Sequence, residues 1–166
     1  MSSDSIQPLF NIEYTNHFED WPLPDLKLFD KITHKILSMV DWRRLCEISV
    51  VFSDNTYIKE LNHIYRDKDK PTNVLSFPGY DETLLNILPP FEPVPLGDIV
   101  FALETIKDEA HIQSKSFENH LTHLFVHGLL HLLGYDHETD DEAEEMEQFE
   151  IDILSLFSIP NPYEVN

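Results

Sequence analysis

The stretch His127-Gly128-Leu129-Leu130-His131-Leu132-Leu133-Gly134-Tyr135-Asp136-His137 constrains this chain more than any other. His127 and His131 are four residues apart, so on a helix they share one face, close enough to hold one ion. Six further residues of helix would carry His137 about 240° around the axis from His131, so a third ligand requires the helix to stop. Gly134 supplies the stop, because glycine takes the left-handed conformation that ends helices and lets the chain fold back. Three neutral imidazoles leave a metal's charge uncompensated and one coordination position open, the pattern of a catalytic rather than a structural zinc. Water bound in such a site ionises near neutral pH.

The spacing H-x-x-x-H-x-x-G-x-x-H is also that of the metzincin proteases, whose second position is a glutamate acting as general base. Gly128 stands there instead, which argues against peptide hydrolysis by that route. His120 and His123 lie on much the same stripe, and His123 and His127 are also four apart. The glycine and the third histidine favour the later pair. His120 and His123 are therefore read as satisfied or solvated side chains.

At 166 residues the chain is most economically one domain, residues 1–166, with a substantial core. Met1 to Phe10 is polar and acidic, so no signal peptide is expected, and no stretch approaches a membrane span. Cys46 is the only cysteine, which excludes an internal disulfide and a cysteine-rich zinc site. A cytoplasmic protein is the simplest reading. The formal charge of −20, from 31 acidic against 11 basic residues, speaks against a polyanionic partner. Its distribution tempers that, since nine of the 11 basic residues lie between Lys27 and Lys70.

Leu9 to Thr15 alternates as a strand, with Phe10, Ile12 and Tyr14 on one side. A helix is expected from about Asp25 to Met39, with Lys27, Lys31 and Lys35 as a solubilising stripe. Cys46 to Phe52 reads as a buried strand. A helix capped by Ser53 or Asp54 then runs to about Tyr65, with Ile58, Leu61 and Ile64 buried. The cationic loop after it leads through Pro71 into a strand at Val74 to Phe77. Asp81 to Leu96, with four prolines, reads as a long connecting loop. Gly97 to Phe101 is a strand expected to pair with Val74 to Phe77 as a wide hairpin.

Leu103 to Gln113 is helical, and Phe117 to Leu133 forms the histidine helix, with Leu121, Leu124, Phe125, Leu129 and Leu132 carrying it through the centre of the fold. Thr139 or Asp140 caps a last helix docked by Met146, Phe149, Ile153, Leu156 and Phe157. The expectation is α+β, a small mixed sheet of about four strands packed against helices.

The motif HGLLHLLGYDH, preceded by YRDKDKPTNVLSFP and LGDIVF, resembles the bacterial YbeY endoribonucleases. The resemblance runs from about Ile48 to Phe157. It implies a zinc-dependent, single-strand-specific endoribonuclease of the cytoplasm, acting on the 3′ end of small-subunit (16S) rRNA and in ribosome quality control, with ribosomal partners. His127, His131 and His137 match the family's metal ligands, and Arg66 its functional arginine. Asn73 stands where aspartate is commoner, and the heavy negative charge is a second departure.

Phosphodiester hydrolysis needs a stabiliser for the negative charge that grows on phosphorus, and Arg66, always charged and able to grip two oxygens, is the candidate. The competing reading of Arg66 is a salt bridge with Asp67 or Asp69. Lys68 and Lys70 are phosphate contacts or solvated. Tyr65 is a core residue or a platform for an unpaired base. Asp136 suits a capping or ligand-orienting role. Two rival functions stand beside the nuclease: a metallopeptidase, and a non-catalytic ribosome-associated module stabilised by its metal.

Overall fold

The computed structural model describes residues 9–22 and 24–164. Most of the polar opening segment, read above as no signal peptide, lies outside the described residues. The elements run β1 (Phe10–Asn16), α1 (Leu26–Met39), β2 (Cys46–Ser53), α2 (Asn55–Arg66), β3 (Val74–Pro78), α3 (Glu82–Ile87), β4 (Val94–Ala102), α4 (Leu103–Ile112), α5 (Phe117–Leu132) and α6 (Asp140–Leu156). Local chemistry explains most of the helix starts. Asp25, Asp54, Asp81, Ser116 and Thr139 each accept a hydrogen bond from the backbone N–H three residues on, satisfying one of the donors a first turn leaves open.

The sheet is mixed, in the order β1-β2-β4-β3. β1 and β4 run parallel to β2, and β3 runs antiparallel to β4 as the expected hairpin partner. The pleat sends alternate residues to opposite faces. Ile48, Val50 and Phe52 of β2, with Ile99 and Phe101 of β4, enter the main core with α1, α5 and α6. On the other face, Leu75 and Val100 meet Ile58 of α2 in a smaller cluster. The architecture is α+β, and α5 lies at its centre, touching α1, α4, α6, β3 and β4. Phe125 of α5 stacks on Phe29 of α1 with ring centroids 4.3 Å apart and planes 3° from parallel. Among the described residues no helix is long and apolar enough to cross a membrane.

Three expectations need correction. Residues 81–96 are not a plain loop: Asp81 caps the short helix α3, and β4 begins at Val94, three residues ahead of Gly97. Prolines hid the strand, but Pro95 lies at its start, beside the register shift at Glu47/Ile48. Ile64 is exposed, and the polar Asn62 is buried instead, donating to the Lys70 carbonyl at 2.9 Å. That bond ties the cationic loop back onto α2. Leu156 is exposed as well, and α6 docks through Met146, Glu150, Ile153 and Leu154.

Cys46 is fully buried at the start of β2. Burial, reinforced by the neighbouring Glu47 carboxylate, pushes its thiol up to about 12. Because the thiolate is the reactive form, the native protein should resist a thiol-specific disulfide reagent at pH 8. Labelling is expected only at the rate of global unfolding, read by absorbance against denaturant concentration.

Candidate metal centre

The centre is built by the end of α5. The Tyr135 N–H donates to the Leu130 carbonyl and the Gly134 N–H to the His131 carbonyl, each at 3.0 Å. With Gly134 at φ +100°, this is the paired-bond left-handed stop that reverses a chain at a helix C-terminus. The reversal carries His137 back to the face of His127 and His131. The three imidazoles converge, each offering one ring nitrogen within 4.8 Å of the others. The Nε2 atoms of His127 and His131 are 3.1 Å apart. Tetrahedral zinc with Zn–N bonds of about 2.0–2.1 Å needs neighbouring nitrogens about 3.4 Å apart. The donor set therefore fits a divalent ion of that class after small rotations of the rings.

Hydrogen bonds behind the rings determine which nitrogen faces the centre. Glu150 Oε2 lies 3.1 Å from His127 Nδ1. A carboxylate accepts, so Nδ1 carries the proton and Nε2 keeps its lone pair. The His131 ring is hydrogen-bonded to the backbone of Tyr135, inside the same turn that returns His137. Burial and then repulsion from His127 and His137 lower the pKa of His131, favouring the neutral, ligating form. Asp136 caps its own turn, its Oδ1 accepting from the His137 N–H at 2.7 Å.

Glu150 escaped the sequence reading, although it is fully buried. It also receives His123 Nε2 at 2.6 Å and the Tyr163 hydroxyl at 2.8 Å. Burial alone would raise its pKa, but the bonds from His123 and His127 overrule that and hold it at about 2. Its sequence signal was a carboxylate at the i+4 position between Met146 and Leu154, on the apolar stripe of α6. Tyr163 follows two prolines in the tail and gave no such signal.

The earlier histidines are engaged elsewhere, as their bland reading required. His120 Nε2 lies 2.8 Å from Glu109 Oε1, and His123 is held by Glu150. Asn73 Nδ2 donates to the same Glu109 oxygen at 2.9 Å, which gives this side chain a structural duty. The residue after His127 is Gly128. A Cβ there would sit 3.1 Å from both Ile99 Cγ2 and Ser76 Oγ, so a glutamate at this position would press into the sheet. The metzincin base has no counterpart here.

Arg66 is the exposed last residue of α2 rather than part of the loop, and Asp67 in the left-handed conformation ends the helix behind it. Among the described residues it makes no ion pair, and Asp69 meets Lys59 instead at 3.9 Å. Arg66 and the three histidines line one cleft of about 710 Å³. Lys68 and Lys70 are exposed beyond it. Tyr65 does not pack in a core: it is 66% exposed, edge-on to Phe77 at a centroid distance of 5.3 Å.

A family model described as Endoribonuclease YbeY matches residues 13–158. The chain belongs to the YbeY family. A protein of Chelativorans sp. (strain BNC1) named Endoribonuclease YbeY is 44% identical over 98% of this chain and 99% of its own length. One of the same name from Acinetobacter baumannii (strain ATCC 17978) is 46% identical over 88% of this chain and 94% of its own. The solution structure of a Thermotoga maritima protein, 23% identical, superposes with a TM-score of 0.55 over 89% of this chain and 91% of that one, which shows the shared fold.

Glu150→Gln keeps the shape but exchanges an obligate acceptor for a group that can also donate. Loss of such an outer partner typically weakens a metal site about 10–100-fold. Calorimetric titration of the variant with a divalent transition metal should show a drop of that size, with unchanged circular dichroism.

Proposed function

We propose that the chain is a zinc-dependent, single-strand-specific endoribonuclease working as one domain. Its place is in maturation of the 3′ end of small-subunit (16S) rRNA and in ribosome quality control in the cytoplasm, beside ribosomal partners. The observation that carries this reading is the convergence of His127, His131 and His137 in one cleft with Arg66, which makes no ion pair among the described residues. Family membership and the names of the relatives support RNA as the substrate.

His127, His131 and His137 would hold the ion through one ring nitrogen each. When bound, it supplies Lewis acidity and lowers the pKa of a water it holds to about 7. Glu150 keeps His127 in the ligating tautomer, and the turn at Gly134 orients His131 and His137 together. Arg66 grips two non-bridging oxygens of the scissile phosphate and offsets the charge that grows as phosphorus becomes five-coordinate. Lys68 and Lys70 take neighbouring phosphates, so that the RNA meets a local cationic rim rather than the net charge of −20. The peptidase reading loses ground because Gly128 leaves the position of the metzincin glutamate without a carboxylate.

Elemental analysis and an RNA cleavage assay on one preparation test this. About one zinc per chain and metal-dependent cutting of unpaired RNA are expected. His131→Ala should lose both. Arg66→Ala should keep the metal and the fold while cutting about 10²–10³-fold more slowly. If both variants stay folded and cut as well as the parent, the nuclease assignment is wrong; Arg66→Ala alone at parental activity removes the role given to Arg66, and cleavage of unstructured peptides that disappears in His127→Ala revives the peptidase.

A further inference from the structure

The face of the sheet opposite α5 carries a groove that the site does not use. Register decides its composition. On β4, Asp98 and Val100 face this side while Ile99 and Phe101 face the main core. Phe77 stands opposite Asp98 in the antiparallel pair, and Val51 of β2 stands beside Val100. With Tyr57, Leu61 and Tyr65 of α2 they enclose about 280 Å³. The floor is apolar, the walls are aromatic, and one carboxylate stands exposed in it. Tyr65 and Tyr57 are 66% and 36% exposed, far more than packing aromatics need to be.

The groove adjoins the metal cleft through two elements. Along β3, Val74, Ser76 and Pro78 line the cleft while Phe77 lines the groove, so a single edge strand separates them. At the end of α2, Tyr65 belongs to the groove and the next residue, Arg66, to the cleft. Lys59 of α2, paired with Asp69 at 3.9 Å, and Lys68 and Lys70 of the loop that follows Arg66 are exposed. Cations along a rim with aromatic faces inside are what a single strand of nucleic acid needs, phosphates outward and bases stacked. Asp98 sharpens the choice. Its charge repels a phosphate from the groove and accepts from the exocyclic amino group of adenine, cytosine or guanine, which uracil lacks.

We propose that this groove is a nucleobase subsite: an unpaired base of the strand held at Arg66 turns over the β3 edge, stacks on Tyr65 against Phe77, and donates its amino group to Asp98. The proposal rests on the reading of the substrate as single-stranded RNA. Tyr65 is thereby a residue that sets substrate affinity and base preference without touching the bond that breaks.

The test measures fluorescence anisotropy of uncleavable 2′-O-methyl oligonucleotides with the metal-loaded protein, one abasic position being stepped along the strand. For the parent, one position should stand out, where removing the base weakens binding about 5- to 150-fold, the worth of one base–aromatic stack. Cytosine there should bind better than uracil, a preference lost in Asp98→Ala. Tyr65→Ala should bind the intact strand as weakly as the parent binds the abasic one and should ignore the abasic position, while Tyr65→Phe behaves as the parent. If Tyr65→Ala binds like the parent, or keeps the abasic penalty, the subsite is refuted and the groove is left to a protein partner. RNA cleavage by the same preparations separates the two ideas. Cutting with binding indifferent to Tyr65 overturns the subsite alone, and absence of cutting overturns the nuclease reading while the anisotropy still decides the groove.

Discussion

Gly134 ends α5 at φ +100°, and the two hydrogen bonds of that stop determine where His137 can be. No neighbouring atom lies within 4 Å of the Cβ a larger residue would carry, so glycine is required by the backbone conformation and not by crowding. A residue with a side chain would sit there at a cost of roughly 1–2 kcal/mol. The same turn bonds the His131 ring to the Tyr135 backbone and caps itself through Asp136. One stop thus sets the position of one ligand and the orientation of another, before any ion adds its own energy.

The central helix also solves a problem of burial. Its Leu, Val and Phe side chains enter the core, yet His120, His123, His127 and His131 run along one edge of it. Buried polar groups need partners. Glu109 from α4 and Glu150 from α6 each meet one ring nitrogen of the first three, the Nδ1 atoms of His120 and His123 having no partner among the described residues, and Tyr163 from the tail closes over Glu150. Toward the cleft the pattern changes: Asp136 and Glu138 line it, but among the described residues neither is hydrogen-bonded to a histidine ring. There the inner nitrogens of His127 and His131 face each other, with His137 beside them. A polar seam between three helices thereby ends in three converging ring nitrogens that fit one ion.

Sequence patterns carried the elements with strong local chemistry. The helix caps, the alternation of β1 and the turn at Gly134 each depend on a few adjacent residues. What escaped depends on contacts between distant segments. Glu150 looks like one more acid in an acidic helix until α5 supplies two histidines to it. Ile64 and Leu156 fit helical spacing, but the flanks they occupy have no neighbour, while Asn62 is buried because the Lys70 carbonyl is there to accept from it. Tyr65, a core residue by hydrophobicity, is left on a surface by the short edge strand it leans on. Arg66 was recognisable through the YRDKDKPTNVLSFP match and its guanidinium, though only the fold brings it to the cleft of the histidines.

X-ray absorption spectroscopy at the zinc edge of the metal-loaded protein tests the central claim most directly. The account predicts a first shell at about 2.0–2.1 Å containing three imidazoles and one solvent oxygen. Substoichiometric zinc, a shell with fewer than three imidazoles, or a fourth protein ligand filling the solvent position would contradict it.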